Sequence, residues 1–195
     1  MRVSMLPLAC ALLLAGCGPP AGDLMVHIPP HLPASGYSEL AQAPPRTVAL
    51  PAFGEASGDP GRIGDRSISG SPAGSILITP TPGVMLHDAF AAELRHAGDT
   101  IANEAGVTIE AKVIAFALRL SPTQFGWQMV LEADLGLTAR NEAQTVNHAY
   151  ATRCADRTAS APGAGAITGL IEHCVDDLAI QFRSDQDVAH LLGAP

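Results

Sequence analysis

Four cysteines, Cys10, Cys17, Cys154 and Cys174, are the residues of this chain whose chemistry depends most on their setting. Cys17 closes the run Leu14-Ala15-Gly16-Cys17. A bulky apolar residue followed by two small ones lets a signal peptidase reach the bond before the cysteine. The thiol can then accept diacylglycerol, and the amine freed by cleavage can accept a further acyl chain. The lead-in agrees with this chemistry. Arg2 supplies a positive start, and Met5 to Leu14 form an apolar core too short to span a bilayer but suited to a secretory signal. Cys10 is a poor rival, because Pro7 stands three residues before it and leaves too little apolar chain.

The four-residue pattern resembles the bacterial lipobox. It leads to the expectation of a signal peptide over residues 1–16 and a lipid anchor on Cys17. Acyl chains add about 0.8 kcal/mol of membrane affinity per buried CH₂, so two or three of them hold a protein almost permanently. Residue 18 is glycine, where aspartate would retain such a protein on the inner membrane. The expected address is therefore the outer membrane, with the domain facing the periplasm.

Cys154 and Cys174 then remain, in a compartment that oxidises thiols. Cys154 lies near the end of an alternating, strand-like segment, roughly 13 Å from that end at strand rise. Cys174 lies within a helical segment, roughly 14 Å from its start at helical rise. A helix folded back on its strand would bring both sulfurs to one level, and both point inward on their own periodicities. The pair is a disulfide candidate, worth about 3 kcal/mol in chain-entropy terms. Two buried free thiols are the alternative.

Other reactive residue types lack a pattern. Gly163-Ala-Gly165-Ala-Ile-Thr-Gly169 opens a helix but has the wrong spacing for a dinucleotide loop, and reads as a flexible turn with small residues beneath a helix. The histidines (27, 31, 87, 96, 148, 173 and 190) form no HxH or HExxH arrangement. Glu93 and His96 share a helix face, and His173 adjoins Cys174, but a metal needs three or four converging ligands. Ser67, Ser69, Ser71 and Ser75 crowd a stretch where serine serves turns. No catalytic residue, metal site or cofactor is assigned, and the expectation is a protein that is not an enzyme.

The net charge of −8 and pI near 5.2 argue against nucleic acid as a partner, which a basic face would attract. Aromatic residues make up only 4%, so Ala, Val, Leu and Ile must build the core.

The elements that would position these residues divide the chain into three parts. Residues 1–16 are the signal peptide. Residues 17–45 are the lipidated cysteine and a tether, in which Pro19, Pro20, Pro29, Pro30, Pro33, Pro44 and Pro45 favour extended chain. The apolar beads Leu24-Met25-Val26 and Ile28 leave a second possibility open, that this stretch docks on the domain. Residues 46–195 form one domain. Arg46–Phe53 is read as a first strand, at an edge or end because of Pro51. Residues 54–75 are read as a long loop, with a short strand at Ser75–Thr79. Thr81-Pro82 opens a helix that Gly98 ends, its apolar face Leu86, Phe90 and Leu94, its face with His87, Asp88, Glu93 and Arg95 solvated. Val107–Leu120 is a strand whose inward parity switches near residue 113, the sign of a bulge or of burial on both faces. Phe125–Leu137 and Thr145–Arg157 complete a meander. A helix over 165–183 and a final turn from Asp187 end the chain. The sum is an α+β two-layer sandwich: a mostly antiparallel sheet of about four strands, with two main helices on one face.

The order of the stretches Arg62-Ile63-Gly64-Asp65-Arg66, Leu94-Arg95-His96-Ala97-Gly98, Glu110–Leu120, Trp127–Leu137 and Asp187–Leu192 resembles the YajG-like family of bacterial lipoproteins. More distantly it is similar to auxiliary lipoproteins of ABC-type transporters and to PelC- and CsgG-type periplasmic lipoproteins. That family carries an Asp-x-Arg-like signature after the first strand, where this chain has Phe53-Gly54-Glu55. The resemblance implies location and fold. The functional expectation is a non-catalytic binding or assembly module of the cell envelope, held to the membrane by its acyl chains. Its partner would be an envelope protein or further copies of itself, met at the sheet edge or the 54–75 loop. The other expectation is an auxiliary lipoprotein of a lipid or solute transporter, with an apolar groove between sheet and helices.

Overall fold

The computed structural model describes residues 22–33, 35–55, 58–68 and 70–194. Cys17, the signal segment 1–16 and Ser69 lie outside them. The strands are β1 (Leu24–His27), β2 (Thr47–Ala49), β3 (Arg62–Ile68), β4 (Ser71–Thr79), β5 (Thr100–Ala102), β6 (Val107–Thr123), β7 (Gly126–Arg140) and β8 (Thr145–Thr158). The helices are α1 (Pro82–Ala97), α2 (Ala164–Arg183) and α3 (Gln186–Leu191). No helix among the described residues is long and apolar enough to cross a membrane.

The α+β class is the expected one, but the single sheet of about four strands is replaced by two sheets. A five-stranded sheet runs β5-β2-β6-β7-β8, and a three-stranded sheet runs β1-β4-β3. β6, β7 and β8 form the antiparallel meander read from their alternation. Their inward residues Ile109, Val113, Met129, Leu131, Leu135, Tyr150 and Cys154 are buried. The parity switch is a bulge: pairing passes from Val113–Leu135 to Ala115–Asp134 and leaves Ile114 without a counterpart. The extra residue turns the following side chains over.

Three expectations need correction. The 54–75 loop is largely a hairpin, β3 and β4, with Ile63, Ala73, Ile76 and Ile78 buried. Its glycines serve close packing as well as turning. A Cβ on Gly64 would stand 2.3 Å from the carbonyl oxygen of Leu118, so glycine lets β3 lie directly against β6. Second, the tether over 17–45 gives way to a docked arm from Gly22 onward. β1 pairs parallel with β4, Val26, Ile28 and Leu40 are buried, and Pro29 and Pro30 keep the chain directly after Ile28 extended. Third, the first strand of the main sheet covers only Thr47–Ala49 and is not an edge. It lies parallel between β5 and β6, with Pro51 beyond its end.

α2 buries Ile167, Leu170, Ile171, Cys174, Val175, Leu178 and Phe182, the stripe its 3.6-residue period predicts. It meets β7 and β8 on one side and β1 on another. α1 ends where Gly98 takes φ 103°. Phe90 of α1 stacks on Phe182 of α2 with ring centres 4.2 Å apart, which sets the helices against each other.

Candidate functional site

The arm leaves β1 at His27 and crosses the two main helices. Between arm, α1 and α2 it frames a half-open cleft of about 300 Å³. Ile28, Pro29, Pro30, Met85 and Val175 give it apolar walls, and Leu32 stands at the rim. Glu172 and Asp176, one turn apart on α2, add carboxylates to the same wall.

His31 lies in the cleft lining with its side chain 4% exposed. Its Nε2 is 3.1 Å from Oε1 of Glu93 on α1, and its Nδ1 is 3.0 Å from Oδ1 of Asp176 on α2. A carboxylate can only accept, so an imidazole facing two of them satisfies both by donating from both nitrogens, as an imidazolium. The Glu93 hydrogen bond, with further help from Asp176, outweighs burial and raises the pKa of His31 above 6.5. One side chain thus binds the arm to both helices. Glu93, expected on a solvated face, is 2% exposed, because the arm covers that face.

A second cluster joins α3 to the sheet. Tyr150 donates to Oδ2 of Asp185 at 2.5 Å, and His148 Nδ1 lies 2.9 Å from the same oxygen. His148 Nε2 lies 3.2 Å from Oδ2 of Asp187, and Asp185 Oδ1 accepts from the Val188 N–H at the start of α3. Burial, then the Asp185 contact, hold the Tyr150 phenol protonated far above its ordinary range. The donor atoms of His148, Asp185 and Asp187 lie within 4.8 Å of one another, a spacing a divalent cation could use. Each is already engaged, however, and the chain Tyr150–Asp185–His148–Asp187 is accounted for as the clamp that fixes α3.

Cys154 and Cys174 form a disulfide with Cα atoms 5.8 Å apart, so strand β8 and helix α2 meet at the level their periodicities indicated. His173 and Asp177 come close to Cys154, but its sulfur is committed to the bridge and offers no thiolate to a metal. The Gly163–Gly169 stretch enters the first turns of α2. His96, paired with Glu93 only by sequence spacing, is exposed.

Two useful residues escaped the sequence reading. Glu55, standing where the family signature differs, accepts the Gly83 N–H at 2.6 Å and caps α1 in place of Thr81. His31 was one histidine among several, and nothing local marks it: its partners are 62 and 145 residues away. The helix–sheet interface, where a transporter subunit was expected to hold a groove, is filled by Met129, Leu131, Leu135, Ile171, Leu178 and Phe182.

A family model described as "uncharacterized lipoprotein" matches residues 67–192. No curated protein matches the chain. Among solved structures, a Xanthomonas campestris protein of the DUF330 family aligns with TM-score 0.54 and 11% identity, over 85% of this chain and 91% of that one. A minor lipoprotein from Acinetobacter baumannii aligns with TM-score 0.40 and 12% identity, over 74% and 90%. The PelC dodecamer from Paraburkholderia phytofirmans aligns with TM-score 0.35 and 16% identity, over 78% and 96%. The Xanthomonas structure shows a shared fold.

Proposed function

Since the chain belongs to a family of uncharacterized lipoproteins, we propose that it is a YajG-like lipoprotein that binds a partner in the cell envelope without catalysing a reaction. In this reading Cys17 carries the acyl chains and the outer membrane holds them, with the domain in the periplasm. The cleft between arm and helices carries the proposal. Apolar walls with a few fixed polar groups are the usual make-up of a binding site. Here Ile28, Met85 and Val175 would receive an apolar side chain, and Glu172 and Asp176 a neighbouring cation or hydrogen-bond donor. The fit is to an extended segment of an envelope protein, or of another copy of this chain.

A photo-crosslinking side chain at Leu32 in the membrane-bound protein tests this. A discrete adduct is expected, and it should disappear in Glu172→Lys, which reverses the charge of a part-buried cleft residue, while thermal unfolding stays cooperative. The same adducts from a probe at exposed Ile180 would remove the cleft from consideration. The anchor is tested separately: the N-terminal peptide should carry acyl mass, and Cys17→Ser should carry none.

A further inference from the structure

The first described residues are held at the hairpin of the small sheet. Gly22 N–H donates to the Ala73 carbonyl at 2.7 Å, Ser75 N–H to Asp23 Oδ1 at 2.8 Å, and Arg66 Nη1 to the Gly22 carbonyl at 2.9 Å. Five peptide steps separate Cys17 from Gly22, a reach of at most about 18 Å. Wherever an acyl anchor on Cys17 sits, this end of the domain lies close to it.

Strand directions say what else lies there. β1 and β4 are parallel, with Leu24 beside Ile76, so the Ile68–Ser71 pair that ends the β3–β4 hairpin lies past Gly22, away from His27. β3 runs in the same sense as β6: Arg62 shares a surface hollow with Val113 to Phe116, and Gly64 lies against Leu118. Past Gly64, β3 therefore runs on toward the end of β6, where the chain turns from Thr123 to Gly126 into β7. Phe125 occupies that turn and is 87% exposed, the most exposed large apolar side chain among the described residues. Thr158, paired with Trp127, brings the β8–α2 connection to the same end.

We propose that this end rests on the lipid bilayer, with Phe125 inserted beside the anchor. The inference rests on the reading of Cys17 as acylated. The acyl chains supply the affinity. They hold Phe125 at high effective concentration over the membrane, so a single phenyl ring suffices to set orientation. A phenyl ring at the water–hydrocarbon boundary gives up water contact that it cannot use. The arm then points away from the membrane. Leu32 follows His27, whose partner Thr79 is eight strand positions from Ser71 at the tip, about 26 Å at strand rise. The cleft is thus presented clear of the lipid headgroups.

The test uses full-length acylated protein in phosphatidylcholine vesicles whose acyl chains are brominated near the headgroup. Trp127 is the only tryptophan. Phe125→Trp combined with Trp127→Phe moves the probe to the tip, and Leu32→Trp combined with Trp127→Phe moves it to the cleft rim. The tip probe should lose at least half of its emission relative to unbrominated vesicles, and the rim probe less than a tenth. Phe125→Asp should still float with vesicles, while quenching of its native Trp127 falls. Equal quenching at tip and rim, or an unquenched tip in protein that floats, overturns the orientation and leaves the anchor standing. A tip shielded without vesicles in protein that sediments as a dimer gives the surface to a second copy and also overturns it. Absence of acyl mass together with failure to float overturns the Cys17 reading, and the orientation with it.

Discussion

His31 and Glu93 stand 62 residues apart in the chain and meet at 3.1 Å, with side chains 4% and 2% exposed. Asp176 takes the other ring nitrogen at 3.0 Å. The contact closes the arm over α1 and α2 and shapes one wall of the cleft.

The pair makes arm docking depend on pH. Its pKa is raised in the fold, so the stabilisation is fully present below the unfolded value of about 6.5 and is lost as pH rises through the folded value. Urea unfolding of the wild type should show stability declining as pH rises above about 6.5. In Glu93→Gln the main cause of the shift is gone. The His31 titration, followed by NMR of its ring protons, should then move down toward 6.5. An unmoved titration would mean that the two side chains do not meet in solution. Asp99 acts in a different window. Burial raises its pKa above 3.8, so its favourable share belongs to acid pH and is lost as pH rises through the raised value.

The disulfide bridges residues 20 apart and ties α2 to β8. Replacing both cysteines by serine should cost about 3 kcal/mol, chiefly through the looser unfolded chain. Denaturant midpoints of oxidised, reduced and doubly substituted protein check this. The reduced and substituted forms should agree with each other and lie below the oxidised form. Alkylation of unreduced protein at Cys154 or Cys174 would contradict the bridge.

Tyr150 and Asp185 should be worth more than an exposed pair. The phenol and carboxylate are buried, and Asp185 also starts α3. Tyr150→Phe keeps the ring beside Phe90 and Phe182 but removes the donor, at an expected cost of about 1–3 kcal/mol. Amide exchange should quicken over Gln186–Leu191 in the variant before it quickens elsewhere. Uniform acceleration would show that the cluster does not clamp α3 in particular.

Gly64 marks the line along which the two sheets meet. Alanine there would bring its Cβ to 2.3 Å from the backbone oxygen of Leu118, which no side-chain rotation relieves. The expected loss is about 1–3 kcal/mol. Alanine at Gly106 or Gly163, which face open space, serves as the control. A Gly64→Ala protein as stable as those controls would rule out the close passage of β3 over β6.

Local order decided much of what could be read beforehand. Alternation over Gly126–Arg140 specifies a one-faced strand because a pleated strand puts every second side chain on the same side. The shift of inward residues after Val113 required, for the same reason, either a bulge or burial on both faces, and the pairing shows the bulge. Leu86, Phe90 and Leu94 specified a helical face, and the inward phase of Cys154 and Cys174 specified where strand and helix could be joined. All these signals repeat within a few residues, and the covalent geometry of the backbone enforces them.

Pairing across long separations was not legible in the same way. Glycine, serine and proline between residues 58 and 75 are common to loops and to hairpins. What makes β3 and β4 strands is the surface of β6 and β1 waiting for them. The prolines of the arm required extended chain but could not say whether it hangs free or lies on α2. That was decided by Val26 and Ile28, which find apolar cover, and by His31, which finds two carboxylates. Sequence by itself thus determined the periodic elements, because helix and strand geometry dictate which side chains share a face. Only the tertiary structure decided the arm, the second sheet and the cleft, because burial of an apolar or charged group depends on what distant parts of the chain bring to meet it.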